Sequence, residues 1–180
     1  MNNKNIIKNY KIEKLNRYHE VGEFDCGNNN LNKYLKEKAL FQQEEQYNVT
    51  YIVRYGEDIV AYFSLFADSF RTKNNPELNT KYEFCPAIKI GRLAVDNKFG
   101  SIGLGTNLLD EITKKVIELS ENVGIMFLTI DAYFNAYPFY QKNSFKFKDR
   151  NIIRKLKNKA KRNPYLSIQM YKDIRRIINN

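Results

Sequence analysis

Apolar and polar positions along the chain divide it into short strand-like runs separated by helical stripes. Residues Tyr10–Leu15 put Tyr10 and Ile12, with Lys14, on one face of a first strand. Leu31, Tyr34, Leu35, Lys38 and Ala39 then recur at helical spacing, with Asn28 or Asn29 placed to cap the helix and the Lys38 stem able to lie along apolar surface. Val49–Tyr55 and Ile59–Ser69 are rich in Val, Ile, Tyr and Phe and flank Gly56-Glu57-Asp58, which predicts a hairpin. The polar stretch Phe70–Pro86, with Asn74-Asn75-Pro76, reads as a loop. Ala87–Val95 is the next strand. Leu104, Leu108, Leu109, Ile112, Val116, Ile117 and Leu119 predict a long amphipathic helix. Ile125–Ala132 is nearly continuously apolar, as a central buried strand is. Asn135–Asn143 predicts a short helix with Pro138 in its first turn, and Phe145–Lys148 and Tyr165–Lys172 predict the last two strands. The middle thus reads β-α-β-α-β, which predicts an α/β (α+β) domain with a mixed sheet.

Composition narrows the class. A length of 180 residues predicts a single domain spanning 1–180. Lys and Arg number 30 against 20 Asp and Glu, and the net charge of +10 points either to an acidic partner or to a basic, Asn- and Lys-rich proteome. Cys26 and Cys85 are too few to staple a domain of this size, so a reduced, cytoplasmic setting is expected. The opening MNNKNIIKNYK has no apolar core of a secretory signal, and no run approaches the ~18 apolar residues of a membrane span. The densest charge lies at 150–162, where Arg150, Arg154, Lys155, Lys157, Lys159, Lys161 and Arg162 stand with no acidic residue between them. It reads as a solvated loop or as a phosphate-contacting segment, its field persisting over a Debye length of about 8 Å.

The chain is organised around Gly91–Asn122. A short apolar run (Leu93, Ala94, Val95) feeds a turn bearing Gly100, Gly103 and Gly105, and the long helix follows. The first amides of a helix have no intrahelical acceptor and sit at the positive end of its dipole, so this junction is suited to an anion. The glycines match neither the G-x-G-x-x-G dinucleotide fingerprint nor a Walker loop, which needs G-K-S/T.

The turn resembles the pyrophosphate-binding Arg/Gln-x-x-Gly-x-Gly/Ala of the GNAT superfamily of N-acetyltransferases, with Gly100 standing where that pattern has Arg or Gln. Asn135-Ala136-Tyr137-Pro138-Phe139-Tyr140, continuing to Phe145, is similar to the family's N-x-x-A-x-x-F-Y-x-x-x-G-F, with Ala136 two places early and Ser144 in place of Gly. Phe24-Asp25-Cys26-Gly27 with Leu31, Tyr34 and Leu35 resembles the F-x-C-G-x-x-x-L-x-x-[WF]-L opening of the GNAT-type toxins of bacterial toxin–antitoxin pairs. Gly91–Asp96 is similar to their G-R-L-A-V-D strand. The resemblance implies a mixed, mostly antiparallel central sheet with helices on both faces and acetyl-CoA as donor. It places the cofactor on Leu93, Ala94, Val95, Phe99, Gly100, Ser101, Ile102, Gly103, Leu104, Gly105, Thr106, Asn135 and Phe139. It implies a tyrosine acid at Tyr140, with Tyr133 and Tyr137 as lesser candidates. Those toxins acetylate the amino group of aminoacyl-tRNA and stop translation, their antitoxin is usually a ribbon-helix-helix protein, and they are often dimers. A tRNA would meet Arg92, Arg154, Lys155, Lys157, Lys159, Lys161 and Arg162. No metal site is expected.

The chemistry must agree. A phenol titrating near 10 can donate to a thiolate whose thiol lies near 8.5. A lysine acceptor titrating near 10.4 needs a base, whereas an α-amine near 7.7 needs little help. His19, Glu83 and Asp131 read as packing or structural groups, and Cys26, with no base beside it, as a small buried thiol. The missing base favours aminoacyl-tRNA as acceptor. A small-molecule amine, a protein N-terminus, or a binding module without catalysis are the readings left open.

Overall fold

The computed structural model describes residues 6, 9–73, 78, 80–163 and 165–178. The backbone falls into two compact units. One runs to Phe66 and takes in Ile90–Glu111; the other comprises Ala67–Lys89 and the chain from Ile112 onward.

The first unit begins with β1 (Lys11–Lys14) and a helical stretch in three parts: α1 (Asn29–Lys33), a π-helical segment (Tyr34–Lys38) and α2 (Ala39–Glu44). Asn28 caps α1, its side chain accepting from the Asn30 and Leu31 amides. β2 (Val49–Tyr55) pairs antiparallel with β1, Lys11 opposite Arg54, and with β3 (Asp58–Arg71), Tyr55 opposite Asp58. The predicted hairpin is therefore present. Phe24, Tyr34, Leu35, Ala39, Ile52, Tyr62 and Ala94 are packed in one core, with Phe24 edge-on to Tyr62 at 5.3 Å. The end of β4 (Phe84–Val95), a 3-10 turn at Asn97–Phe99 and the start of α3 (Leu104–Ser120) complete it.

The second unit holds the rest of β3, β4 and α3. It adds β5 (Phe127–Tyr133), α4 (Tyr137–Lys142), β6 (Lys146–Phe147), α5 (Ile152–Ala160), β7 (Ser167–Asp173) and α6 (Arg175–Ile178). β5 and β7 run antiparallel from Phe127 opposite Asp173 to Tyr133 opposite Ser167, and β6 pairs antiparallel with β7. Phe70, Leu78, Cys85, Ala87, Phe127 and Tyr171 form its core. The strands lie in one sheet of order β1-β2-β3-β4-β5-β7-β6, the mixed, mostly antiparallel α/β architecture that the resemblance implied.

The structure corrects several boundaries. The basic segment is a helix, α5, and not a loop: Ile152, Ile153, Leu156 and Ala160 make a half-buried stripe at helical spacing, which the lysines between them mask in a reading by charge. β3 and β4 run further into the polar connection than the turn residues suggest, and Asn74-Asn75-Pro76 lie outside the described residues. Asn135 precedes α4, which starts at Tyr137 with Pro138 in its first turn.

Candidate active site

The glycine turn is secured by a buried carboxylate. Asp96, 3% exposed, accepts from the Lys98 amide through Oδ1 and from the Asp25 amide through Oδ2, each at 2.9 Å. The Asn97 amide returns a bond to the Asp25 carbonyl at 2.9 Å. The Phe24–Gly27 motif is thus a brace: Asp25 Oδ1 accepts from the Gly27 amide and the Asn32 side chain, and Asn32 accepts from the Cys26 amide. Cys26 is half-buried rather than buried, its thiol donates to Asn32, and burial pushes that thiol up, so it is no nucleophile. Reading by motif alone left Asp96 without a role; an Asp directly before the turn, able to cap it, was the available signal.

Beyond this brace the backbone is left open. The Gly100 amide bonds the Asn97 carbonyl and the Thr106 amide bonds the Gly103 carbonyl. Between them the amides of Ser101, Ile102, Gly103, Leu104 and Gly105 donate to no acceptor among the described residues. Ser101 and Gly103 have left-handed φ of 62° and 86°, and no acidic side chain occupies the first turn of α3. Successive unpaired amides at a helix N-terminus form a concave anion cradle. Gly100, by contrast, has φ −65°, and a Cβ there would meet only the Asn97 carbonyl at an ordinary 3.5 Å. It is therefore open to the Arg or Gln of the family pattern. Phe99 and Leu104 are buried and anchor the turn, while Ser101, Gly103 and Thr106 are exposed. Leu93, Ala94 and Val95 lie at the end of β4 just before it. The strand needs Gly91, because a Cβ would come within 2.9 Å of the Phe66 ring and the Ser64 hydroxyl.

In the second unit Tyr140 is 6% exposed, its ring edge-on to Phe139 at 5.0 Å and to Phe145 at 5.7 Å. Its hydroxyl has no hydrogen-bond partner among the described residues, yet no polar side-chain atom there is both sealed from solvent and unpaired. The ring is thus packed, and the hydroxyl is not wholly sealed from solvent. Burial pushes the phenol well above its usual 10, so it keeps its proton throughout the neutral range. Ser144, where the family pattern has Gly, has φ 68°, the left-handed conformation that glycine adopts freely. Phe139 is half-buried and Asn135 exposed. Tyr137 is edge-on to Phe134 and Phe147, and Tyr133 to Tyr165.

The candidate bases are engaged elsewhere. His19 faces Glu13 at 3.2 Å, Glu83 pairs with Arg71 at 2.8 Å and Asp131 with Lys89 at 2.7 Å. Arg154, Lys155, Lys157 and Lys159 are exposed on α5, with Lys161 and Arg162 exposed just past its end. The charge there is not wholly uncompensated: Lys155 pairs with Asp149 at 2.7 Å and holds that carboxyl below its usual range. Among the described residues no helix is long and apolar enough to cross a membrane.

Residues 14–156 match the family described as acetyltransferase (GNAT) domain. A tRNA-acetylating toxin of Mycobacterium tuberculosis is 24% identical over 124 residues, 67% of this chain and 75% of the relative. AtaT complexed with acetyl-methionyl-tRNAfMet superposes with a TM-score of 0.76 at 21% identity, covering 94% of this chain and 97% of AtaT. A point mutant of the AtaT toxin bound to the C-terminus of the antitoxin AtaR and to acetyl-CoA gives 0.72 at 22% identity, covering 94% and 96%. At these identities the structural likeness establishes the fold.

Proposed function

Since the chain belongs to the acetyltransferase (GNAT) domain family, we propose that it is an acetyl-CoA-dependent N-acetyltransferase that acetylates the α-amino group of aminoacyl-tRNA and so arrests translation. The observation that carries the cofactor assignment is the row of five amides, Ser101–Gly105, at the start of α3, unpaired among the described residues. Their number suits a diphosphate rather than a single carboxylate. Acetyl-CoA supplies an activated acyl thioester. The turn holds the diphosphate, and the end of β4 at Leu93–Val95 offers a main-chain donor to the carbonyl where oxyanion charge develops.

Tyr140 stabilises the departing thiolate. Its raised phenol widens the gap to a thiol near 8.5, so the group acts chiefly as a hydrogen-bond donor that stays protonated, and the proton shed by the attacking amine balances the reaction. An α-amine near 7.7 is substantially neutral at physiological pH and needs no dedicated base, in keeping with carboxylates committed to ion pairs. The exposed cations of α5 suit a polyanionic carrier. An acidic antitoxin, of ribbon-helix-helix type, is the partner this reading implies, and a homodimer the assembly.

The test is cell-free translation with purified protein. Synthesis stops only when acetyl-CoA is added, and mass spectrometry finds acetyl groups on aminoacyl-tRNA; inhibition independent of acetyl-CoA overturns the reading. Replacing Lys157, Lys159 and Lys161 together by Gln raises the KM for aminoacyl-tRNA about tenfold at physiological salt. Equal rates for this variant, with fast acetylation of free amines, would make a small amine the acceptor.

A further inference from the structure

The aromatic residue of the opening motif and the arginine of the Gly91–Asp96 strand have no part in the binding turn, yet they meet. The Arg92 guanidinium lies 4.9 Å from the centroid of the Tyr34 ring, and one of its nitrogens donates to the Gly91 carbonyl at 2.6 Å. Arg92 is exposed, and no carboxylate pairs with it among the described residues. Arg54, Arg71 and Arg175 all have acidic partners. A guanidinium restrained on two sides but lacking a counter-ion keeps its remaining donors in a fixed fork, the geometry that takes phosphate oxygens in pairs.

Tyr34 is itself firmly set. It is 5% exposed, its ring stacks on Tyr62 at 6.1 Å, and its hydroxyl lies 3.4 Å from the Thr50 hydroxyl. It opens the π-helical segment, with the Ala39 amide bonded five residues back to the Tyr34 carbonyl. Tyr62 donates to the Leu31 carbonyl at 2.7 Å just before that segment. A π turn widens a helix locally and re-aims the side chains on it, and such turns recur where a side chain has a task.

We propose that Tyr34 is a positioning residue that holds Arg92 as a preformed phosphate fork for the terminal phosphodiester of aminoacyl-tRNA. The inference rests on the acceptor assigned above. Arg92 directly precedes Leu93–Val95, where the reacting carbonyl is placed. In an aminoacyl-tRNA the fixed charge nearest the attacking amine is the phosphate of the terminal nucleotide, whereas the coenzyme's diphosphate is served by the amides of the turn.

Steady-state acetylation of purified aminoacyl-tRNA over a salt series tests this. Arg92→Gln raises the KM for aminoacyl-tRNA about tenfold and lowers the slope of log KM against log salt by about one, while calorimetry with acetyl-CoA reads as in the parent protein. Tyr34→Leu raises the same KM several-fold and Tyr34→Phe restores it, because the ring face and not the hydroxyl meets the guanidinium. A parent-like KM for Arg92→Gln, or a Tyr34→Phe variant as impaired as Tyr34→Leu, overturns the proposal. So does Arg92→Gln weakening acetyl-CoA instead of tRNA. Should Tyr34→Leu fail to fold, Arg92→Gln and Tyr34→Phe still decide. A parent protein unable to acetylate aminoacyl-tRNA removes both this inference and the function above; an active parent with an indifferent Arg92→Gln removes only this one.

Discussion

The glycine turn and the Tyr140 helix carry the two halves of the proposed chemistry in different materials. The turn works with main-chain amides, Ser101–Gly105, which every non-proline residue possesses. What it demands of the sequence is conformation: left-handed φ at Ser101 and Gly103, and the Asp96 brace behind them. The Tyr140 site works with one side-chain oxygen, its ring held by aromatic neighbours and its hydroxyl without a partner among the described residues. A backbone site can therefore lose a motif residue, as at Gly100, and keep its donors. A side-chain site cannot lose its residue and keep its function.

Substitution should make that contrast visible. Tyr140→Phe keeps ring packing and removes the donor, so kcat falls on the order of 10²–10³-fold while acetyl-CoA binding by calorimetry persists. Because burial raises the phenol, the alkaline fall in the rate of the parent enzyme lies above pH 10; a limb already complete near pH 9 would assign the donor elsewhere. Asp96→Ala leaves the Asp25 and Lys98 amides without their charged acceptor. It lowers stability by roughly 3 kcal/mol in denaturant titration and weakens acetyl-CoA binding by loosening the turn, with Tyr140 untouched. The smallest effects separate conformation from chemistry. Gly103→Ala, at φ 86°, costs about 1–2 kcal/mol, whereas Gly100→Ala, at φ −65° with room for a Cβ, stabilises by about 0.5 kcal/mol. Ser144→Gly relieves a left-handed serine and raises the melting temperature by a few degrees. Equal responses at Gly100 and Gly103 would break the account of the turn.

Much of this was legible before any coordinates. Helix α3, its glycine-bearing start and the hairpin at Gly56–Asp58 follow from periodicity and turn chemistry, which act over a few residues. Helix α5 was obscured because charge dominated the reading of 150–162, although Ile152, Ile153, Leu156 and Ala160 were already at helical spacing. The π-helical segment at Tyr34–Lys38 was not legible, since the stripe of Leu31, Tyr34, Leu35 and Ala39 already fits ordinary helical spacing.

Local sequence alone determined where the chain turns, which segments match the family's motifs, and that a helix begins just after Gly103, because sterics and side-chain spacing are properties of neighbours. Only the tertiary structure decided that Asp96 is a brace, that Arg92 rests on a ring 58 residues away in sequence, and that the Tyr140 ring is buried while its hydroxyl is not wholly sealed. Those are relations of burial and distance between segments remote in the chain. The same residue types in the same order fix them only once the sheet has drawn those segments together.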